Sequence, residues 1–160
     1  MRSPGNSRRF FGNSPMPTAP RTDLHSRLLQ LCDEFRAQGD IHCEVALDER
    51  HTRFDQEVSE VVFRTVRELL TNVRQHAKAK RVKVSSVSRR DGSIGITVAD
   101  DGIGLPPHRR RGNPFENGGI GLWSIDQRLR SFDAVLDVEA AAGSGTRAMV
   151  ILPGTLLGAD

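Results

Sequence analysis

One acidic residue followed by two glycines is the strongest chemical signal in this 160-residue chain. Asp100 ends the run Ser93 to Ala99, in which apolar residues alternate with small or polar ones, as along a half-covered strand. Because Asp100 continues the apolar parity, its carboxylate falls on the covered face and needs an N–H donor from the protein or a ligand. Gly102 and Gly104 then let the backbone turn sharply and approach a ligand closely. An acid followed by glycines at a strand end suggests a purine-binding corner.

A second glycine cluster, Gly118 to Gly121, stands where a helical pattern begins. The apolar residues that continue this pattern on one face are Leu122, Ile125, Leu129 and Phe132. Backbone N–H groups at a helix start lack partners within the helix, so the cluster is a candidate for binding phosphate oxygens. Between the two glycine segments, residues 106–117 are polar and include Arg109, Arg110 and Arg111. We interpret this stretch as a mobile loop.

A third set of polar residues lies on the longest helical pattern, which runs from Asp55 to about Ala77. Its apolar stripe consists of Val58, Val62, Val66, Leu69 and Val73. Glu68, Asn72 and His76 are spaced by four residues, which predicts that they stack along one edge of the helix. Carboxylate and amide oxygens suit Mg²⁺, which keeps several waters and needs few protein groups. A solvated polar face is the alternative interpretation.

The other patterns predict the elements that position these residues. Helical spacing from Leu24 to Phe35, after a cap at Asp23 and before Gly39, predicts a first helix. Alternation predicts strands at residues 41–47, 82–87, 93–99, 134–140 and 146–152, with hairpin turns at 90–92 and 143–145. Together they predict an α+β fold, a two-layer sandwich with a mixed, mostly antiparallel sheet and three helices on one face.

Length and composition bound the remaining possibilities. We assign the chain to a disordered tail or linker remnant at 1–21, one domain at 22–154 and a C-terminal tail at 155–160. With a net charge of +3, scattered basic residues and 5% aromatics, nucleic-acid binding is not expected. No run approaches the roughly 20 apolar residues of a membrane span. Cys32 and Cys43 are too few and too isolated for a disulfide framework or a zinc site, which predicts reduced, structural thiols in a cytosolic protein.

The order of these features resembles the GHKL, or Bergerat-type, ATP-binding fold of gyrase, the heat-shock-90 chaperones, mismatch-repair ATPases and sensor histidine kinases. Glu68 to Asn72 is similar to the N box, Asp100 to Gly104 to the first glycine box, and Gly119 to Leu122 to the second. A Gly-x-Gly-Thr hairpin follows at 143–146. Residues 64–77 and 121–129 are most similar to two-component histidine kinases of the nitrate-sensor type. The resemblance covers about Leu24 to Pro153.

The resemblance implies a role for each matching position. Asp100 would accept a hydrogen bond from the adenine amino group, Asn72 would bind Mg²⁺ that bridges the phosphates, and Glu68 would be the catalytic residue that orients or activates the attacking group. The loop 106–117 would be the ATP lid, with Arg109, Arg110 and Arg111 neutralising phosphate charge. The remaining ATP-binding positions would be His76, Gly102, Gly104, Gly119, Gly121, Leu122 and Thr146, with Thr146 near the adenine.

The chain departs from the family pattern in two places. Three residues after Asn72, where these kinases usually place Lys or Arg, stands Gln75, so one phosphate contact is missing or is supplied by Arg74, Lys78 or the lid. The long dimerisation helices that carry the phosphorylatable histidine do not fit before Leu24. The residues around His25 resemble the phosphoacceptor motif over a short stretch. We interpret this similarity as a coincidence because the spacing between His25 and the N box is too short.

These features predict the catalytic, Mg-ATP-binding domain of a two-component sensor histidine kinase. We expect it to be cytoplasmic and monomeric and to phosphorylate a histidine supplied by another domain or chain of a response-regulator system. One alternative is a stand-alone anti-sigma-factor-like serine kinase that sequesters a protein partner. Another is a truncated ATP-binding relic, which Gln75 makes more plausible.

Overall fold

The computed structural model describes residues 23–104, 120–140 and 145–158, with side chains from Trp123 onward in the second range. The described helices are α1 (Leu24–Ala37), α2 (Gln56–Asn72) and α3 (Ile120–Arg130). The described strands are β1 (His42–Ala46), β2 (Arg81–Ser88), β3 (Ile94–Asp100), β4 (Val135–Ala140) and β5 (Thr146–Leu152). Short 3-10 turns follow β1 at Glu49–Thr52 and β5 at Gly154–Leu156. The predicted α+β class is confirmed.

Aspartate caps set the starts of the first two helices. The Asp23 carboxylate accepts the His25 backbone N–H at 3.1 Å, and the Asp55 carboxylate accepts that of Val58 at 2.9 Å. Each cap satisfies a donor that would otherwise lack a partner in the first turn. The apolar stripes predicted from the sequence then face the interior, where Leu28, Val62 and Val66 are fully buried.

The C-terminal end of the long helix differs from the prediction. The helical segment runs to Ala77 as predicted, but the α-helix ends at Asn72 and residues Val73–Ala77 form a π-helical turn. Lys78 closes the turn in the left-handed region with a φ of 50°. A π turn changes the i→i+4 ladder to i→i+5, and such turns are frequent at functional sites. The apolar stripe continues through Val73, which is why spacing alone did not separate the two geometries.

The sheet has the strand order β1-β2-β3-β5-β4. β1 pairs with β2 in parallel, and the other three neighbouring pairs are antiparallel. β3 is therefore the central strand, hydrogen-bonded on one side to β2 and on the other to β5. This topology confirms the predicted mixed, mostly antiparallel sheet.

The core lies between one face of the sheet and the three helices. Val84 and Val98 are opposite each other on β2 and β3, and both are buried against the helices. On the other face of the sheet, Glu44, Lys83, Asp137, Glu139 and Arg147 are exposed. The protein therefore has the two predicted layers, with the helices on one face.

The two cysteines are neighbours in the folded chain. Both are free and buried, and their thiols are hydrogen-bonded to each other across the contact between α1 and β1. Arg36, one turn after Cys32, donates from Nε to the Cys43 carbonyl oxygen at 2.7 Å. The prediction of structural thiols fits this packing, although their separation in sequence concealed the contact.

The chain remains packed on the domain after β5. Leu157 forms an isolated antiparallel bridge with Phe54, and the Gly158 N–H donates to the Arg53 carbonyl oxygen at 2.6 Å. Leu156 and Leu157 are half-buried against the core. Among the described helices, none combines the length and the apolar character needed to cross a bilayer.

Candidate functional site

Asp100 is the last residue of the central strand, and its side chain points toward the helix layer. It lies opposite Val82 of β2 and continues the buried row formed by Ile94, Ile96 and Val98, as the alternation predicted. Its carboxylate is half-buried and accepts the Gly102 backbone N–H at 2.8 Å and the backbone N–H of Thr146. The alternation along β3 predicted that Asp100 needs an N–H donor on the covered face. The protein itself supplies at least part of this hydrogen bonding.

Partial burial shifts the pKa of this carboxylate. Desolvation raises the pKa of Asp100 above its usual range, because the ionised form loses contact with water. The N–H groups of Gly102 and Thr146 lower the pKa, and the nearby negative charge of Asp101 raises it. The raising effects are larger. An additional hydrogen-bond donor from a ligand would therefore stabilise the ionised form.

Glycines around Asp100 allow three backbone segments to come into close contact. At Gly102 a Cβ would lie 2.1 Å from the Ala77 carbonyl oxygen, and at Gly145 it would lie 1.8 Å from the Asp100 carbonyl oxygen. Gly145 and Gly104 also have positive φ values of 85° and 74°, which side chains disfavour. The glycines thus bring the end of the α2 segment and the start of β5 against the end of β3.

Glu68 and Asn72 occupy successive turns at the C-terminal end of α2. Both are half-buried, and among the described residues neither side chain makes a hydrogen bond or an ion pair. No described residue therefore occupies their oxygens, and the magnesium-binding edge stays a prediction. His76 lies in the π-helical turn and is exposed.

The segment after Asn72 is joined directly to the first glycine segment. The Ile103 backbone N–H donates to the Ala77 carbonyl oxygen at 2.7 Å. The structure therefore brings the helix that carries Glu68 and Asn72 to the strand end that carries Asp100, although these segments are more than twenty residues apart in the sequence. Thr146 completes the group because its N–H contacts Asp100.

Arg74 and Lys78 were the nearby candidates to replace the phosphate contact of a basic residue at position 75. They differ in whether their charged groups are already bonded within the protein. The Arg74 guanidinium donates to the Phe35 carbonyl oxygen at 2.6 Å and stacks on the Phe35 ring, so it is engaged with α1. Lys78 is exposed and ends the π-helical turn. Of the two candidates next to the N box, Arg74 is engaged with α1 and Lys78 is exposed to solvent.

Part of the predicted site lies outside the described residues. This applies to Gly119 and to the predicted lid with Arg109, Arg110 and Arg111. Gly121 and Leu122 belong to the first turn of α3, so the second glycine segment does lead into a helix. For Leu122 only this backbone position is described.

Asp101 is a site residue to which the sequence patterns assigned no role. Its Oδ1 accepts the backbone N–H groups of Lys80 at 2.9 Å and Arg81 at 2.8 Å. The signal was limited, because an aspartate before a glycine is also common in ordinary turns. Gly145 was similarly assigned only to a hairpin, and its contact with Asp100 depends on the pairing of β3 with β5.

This arrangement is chemically suited to a purine nucleotide. A half-buried carboxylate can accept a hydrogen bond from an exocyclic amino group. The amide and carboxylate oxygens of Asn72 and Glu68 suit a hard divalent cation. The fold and the site together therefore suit a purine nucleotide with a divalent cation.

Comparison with known proteins identifies the family. Residues 57–156 match the family described as histidine kinase-, DNA gyrase B-, and HSP90-like ATPase, and the chain belongs to this family. It is similar to the sensor histidine kinase LiaS of Bacillus subtilis, with 29% identity over 130 residues, and to the sensor protein NarQ homolog of Haemophilus influenzae, with 27% over 139. The alignments cover 81% and 87% of this chain.

A solved structure supports the same fold. The histidine kinase domain of the blue-light activated histidine kinase EL346 from Erythrobacter litoralis superposes with a TM-score of 0.70 at 25% identity, covering 86% of this chain and 66% of that one. By contrast, the chain spans 34% of the length of LiaS and 24% of the NarQ homolog. The matched part is thus only a fraction of those longer proteins.

Proposed function

We propose that this chain is the catalytic Mg-ATP-binding domain of a two-component sensor histidine kinase. It transfers the γ-phosphate of ATP to a histidine of another domain or chain. The observation that carries the proposal is the half-buried carboxylate of Asp100 at the end of the central strand, where glycines let the segments at Ala77 and Gly145 pack closely around it. Membership in the ATPase family and the sensor-kinase relatives support it.

Asp100 selects the base. Its carboxylate accepts the hydrogen bond of the adenine 6-amino group, whereas guanine presents a carbonyl oxygen at that position. Two acceptors facing each other in a partly desolvated site repel, so guanine nucleotides bind more weakly. The backbone N–H groups of Gly102 and Thr146 hold the carboxylate in place, and no side chain among the described residues bonds to it.

Asn72 and Glu68 act at the phosphate end. The Asn72 amide oxygen binds Mg²⁺, and its half-exposed position without a hydrogen-bond partner among the described residues fits that role. When bound, Mg²⁺ neutralises charge on the phosphate oxygens during transfer. Glu68 orients the attacking histidine and accepts its proton. Lys78 and the lid arginines Arg109, Arg110 and Arg111 supply positive charge, while His76, Gly119, Gly121 and Leu122 border the nucleotide.

The domain works with other protein parts. Because the chain spans only a fraction of its relatives, the phosphoacceptor histidine and the response regulator are supplied by other segments or chains. We further propose that the domain of residues 22–154, with residues 156–158 packed on it, is monomeric, that it meets ATP in the cytoplasm, and that it belongs to the nitrate-sensor type. The relatives do not favour the anti-sigma-factor-like alternative.

Nucleotide titration tests the site. Trp123 is the single tryptophan, lies on α3 and is exposed, so its fluorescence serves as an internal reporter, with calorimetry as a second readout. We expect saturable binding of Mg-ATP, weaker binding of Mg-GTP, and a loss of about tenfold or more in Asp100→Asn, whose amide presents a donor to the adenine amino group. Asp91→Asn, in the distant β2–β3 turn, is the matched control and should bind normally.

Phosphate transfer tests the reaction. The domain is mixed with γ-labelled ATP and a purified phosphoacceptor domain of a sensor histidine kinase. Acid-labile label on the acceptor, lost in Glu68→Gln although that variant still binds Mg-ATP, is the expected result. Acid-stable label on serine, or Mg-ATP binding that Asp100→Asn leaves unchanged, contradicts the proposal.

A further inference from the structure

Asp101 connects the two halves of the nucleotide site through the backbone. One oxygen of its carboxylate accepts both the Lys80 and the Arg81 N–H groups, and its own N–H donates to the Arg81 carbonyl oxygen at 3.2 Å. Its side chain is exposed and makes no ion pair among the described residues. The residue therefore binds the segment that links α2 to β2.

A second set of contacts strengthens the same junction. The Ile103 N–H donates to the Ala77 carbonyl oxygen at 2.7 Å, and the absence of a Cβ on Gly102 is what allows the two backbones to approach. We call the segments 77–81 and 101–103, joined by these hydrogen bonds, the backbone clasp. It lies between Asn72, five residues before Ala77, and Asp100, directly before Asp101.

We propose that Asp101 is a positioning residue that fixes the spacing between the adenine-binding Asp100 and the metal-binding end of α2. This inference rests on the proposed function, because the spacing matters only for a ligand that contacts both ends. Asp100 itself is held independently, since its strand pairs with β2 and β5 and its carboxylate accepts the Thr146 N–H. Loss of Asp101 therefore loosens the linking segment more than it displaces Asp100.

Substitutions of Asp101 can separate the effect of its hydrogen-bond geometry from the effect of its charge. Asn at this position offers a carbonyl oxygen in the same place, so it can accept the same two N–H groups without a charge. Ala removes the acceptor and leaves both donors to water. Glu keeps the charge but places it one methylene further from the backbone. A positioning role thus predicts that Asn preserves the site and that Ala and Glu impair it.

Adenosine and Mg-ATP together provide the discriminating measurement. Adenosine contacts only the Asp100 end, whereas Mg-ATP contacts both ends of the clasp. In Asp101→Ala we expect affinity for Mg-ATP to fall about tenfold, while affinity for adenosine changes less than about twofold. Asp101→Asn should restore Mg-ATP affinity to within about twofold of wild type. A general loss of stability would lower both affinities together.

The matched control is Asp91→Ala. Asp91 also is an exposed aspartate that accepts a backbone N–H, that of Ser93 at 3.0 Å, but it lies in the turn at the far end of β3. This variant should leave both affinities unchanged. A selective Mg-ATP loss in Asp91→Ala as well, or equal losses of both ligands in Asp101→Ala, overturns the inference.

The two proposals fail in different ways. If wild type bound neither adenosine nor Mg-ATP, the proposed function would fail. If wild type bound both and Asp101→Ala bound both equally well, only the positioning role would fail. Should Asp101→Ala not fold, as judged by circular dichroism, Asp101→Glu takes its place. A selective Mg-ATP loss in Asp101→Glu then supports the role, and wild-type affinities overturn it.

Discussion

The Arg74 guanidinium donates to the Phe35 carbonyl oxygen at 2.6 Å and lies 4.2 Å from the centroid of the Phe35 ring. It joins the C-terminal part of α1 to the π-helical turn that follows Asn72. The same turn is bonded at its other end, where the Ala77 carbonyl oxygen accepts the Ile103 N–H. An unusual backbone geometry is thus held from two sides, which explains how it persists beside the site.

Replacing Arg74 should destabilise the domain. Arg74→Ala removes a charge-assisted hydrogen bond and a cation–π contact, and we expect the free energy of unfolding in urea to fall by about 1–3 kcal/mol. Arg64→Ala is the control, because Arg64 forms an exposed pair with Glu60 that is worth about 0.3–0.5 kcal/mol. Equal losses of unfolding free energy in the two variants would show that the contact of Arg74 with Phe35 adds no more stability than an exposed ion pair.

Gly145→Ala should be much more damaging than Gly92→Ala. Both glycines have positive φ, 85° and 83°, so the cost of backbone strain is similar. A Cβ at Gly145 would lie 1.8 Å from the Asp100 carbonyl oxygen, whereas a Cβ at Gly92 would meet nothing within 4 Å. We expect a loss of about 1 kcal/mol at Gly92 and of at least about 3 kcal/mol at Gly145, together with weakened adenosine binding. Chemical denaturation of both variants measures the difference, which vanishes if β5 can move away freely.

As the pH is lowered, adenosine affinity should begin to fall at a higher pH than it would if Asp100 had the pKa of an ordinary aspartate. Burial raises the pKa of Asp100, so the carboxylate gains its proton above the usual value of about 3.9. The ionised carboxylate is the better acceptor, and affinity therefore falls as pH drops through the raised pKa. Adenosine is used because it has no titrating phosphate. Calorimetric titrations across pH, with Asp91→Asn in the distant β2–β3 turn as the control that keeps the profile, test this; a flat profile in wild type contradicts it.

The two thiols should react slowly in the native protein. The hydrogen bond to Cys43 and burial both raise the pKa of Cys32, while the same hydrogen bond lowers the pKa of Cys43. Because both residues are buried, an aromatic disulfide reagent reaches them only after local opening. We expect labelling at least about a hundredfold slower than in denaturant, where both should react. Rapid labelling of Cys43 in native buffer would contradict the packing of α1 on β1.

Local patterns predicted most of the elements because each depends on neighbours in sequence. The cap at Asp23, the stripe on α2 and the strand Thr146–Leu152 follow from side-chain spacing alone. Thr97 shows the limit of that approach. Alternation places it on the open face of the sheet, yet it is buried because β3 has a neighbouring strand on both sides. Strand order depends on pairings between segments that are far apart in the sequence. The local periodicity of side chains does not indicate these pairings.

For the site, the residue types in the sequence predicted the function better than they predicted the geometry. The parity of β3 placed Asp100 on the covered face, and the structure confirms that position. The π-helical turn, the engagement of Arg74 and the contacts of Asp101 depend on where α1, α2 and β3 meet. Such contacts arise from packing between segments far apart in the chain, so they had no signature in the sequence.

The central position of β3 has a consequence for how the domain loses its ligand on heating. Amide hydrogens of a strand paired on both sides exchange only in the rarest openings, whereas the edge strands β1 and β4 fray at little cost. Asp100 ends that protected strand. Recognition of the base should therefore survive fraying at either edge and disappear only when the sheet melts as a whole.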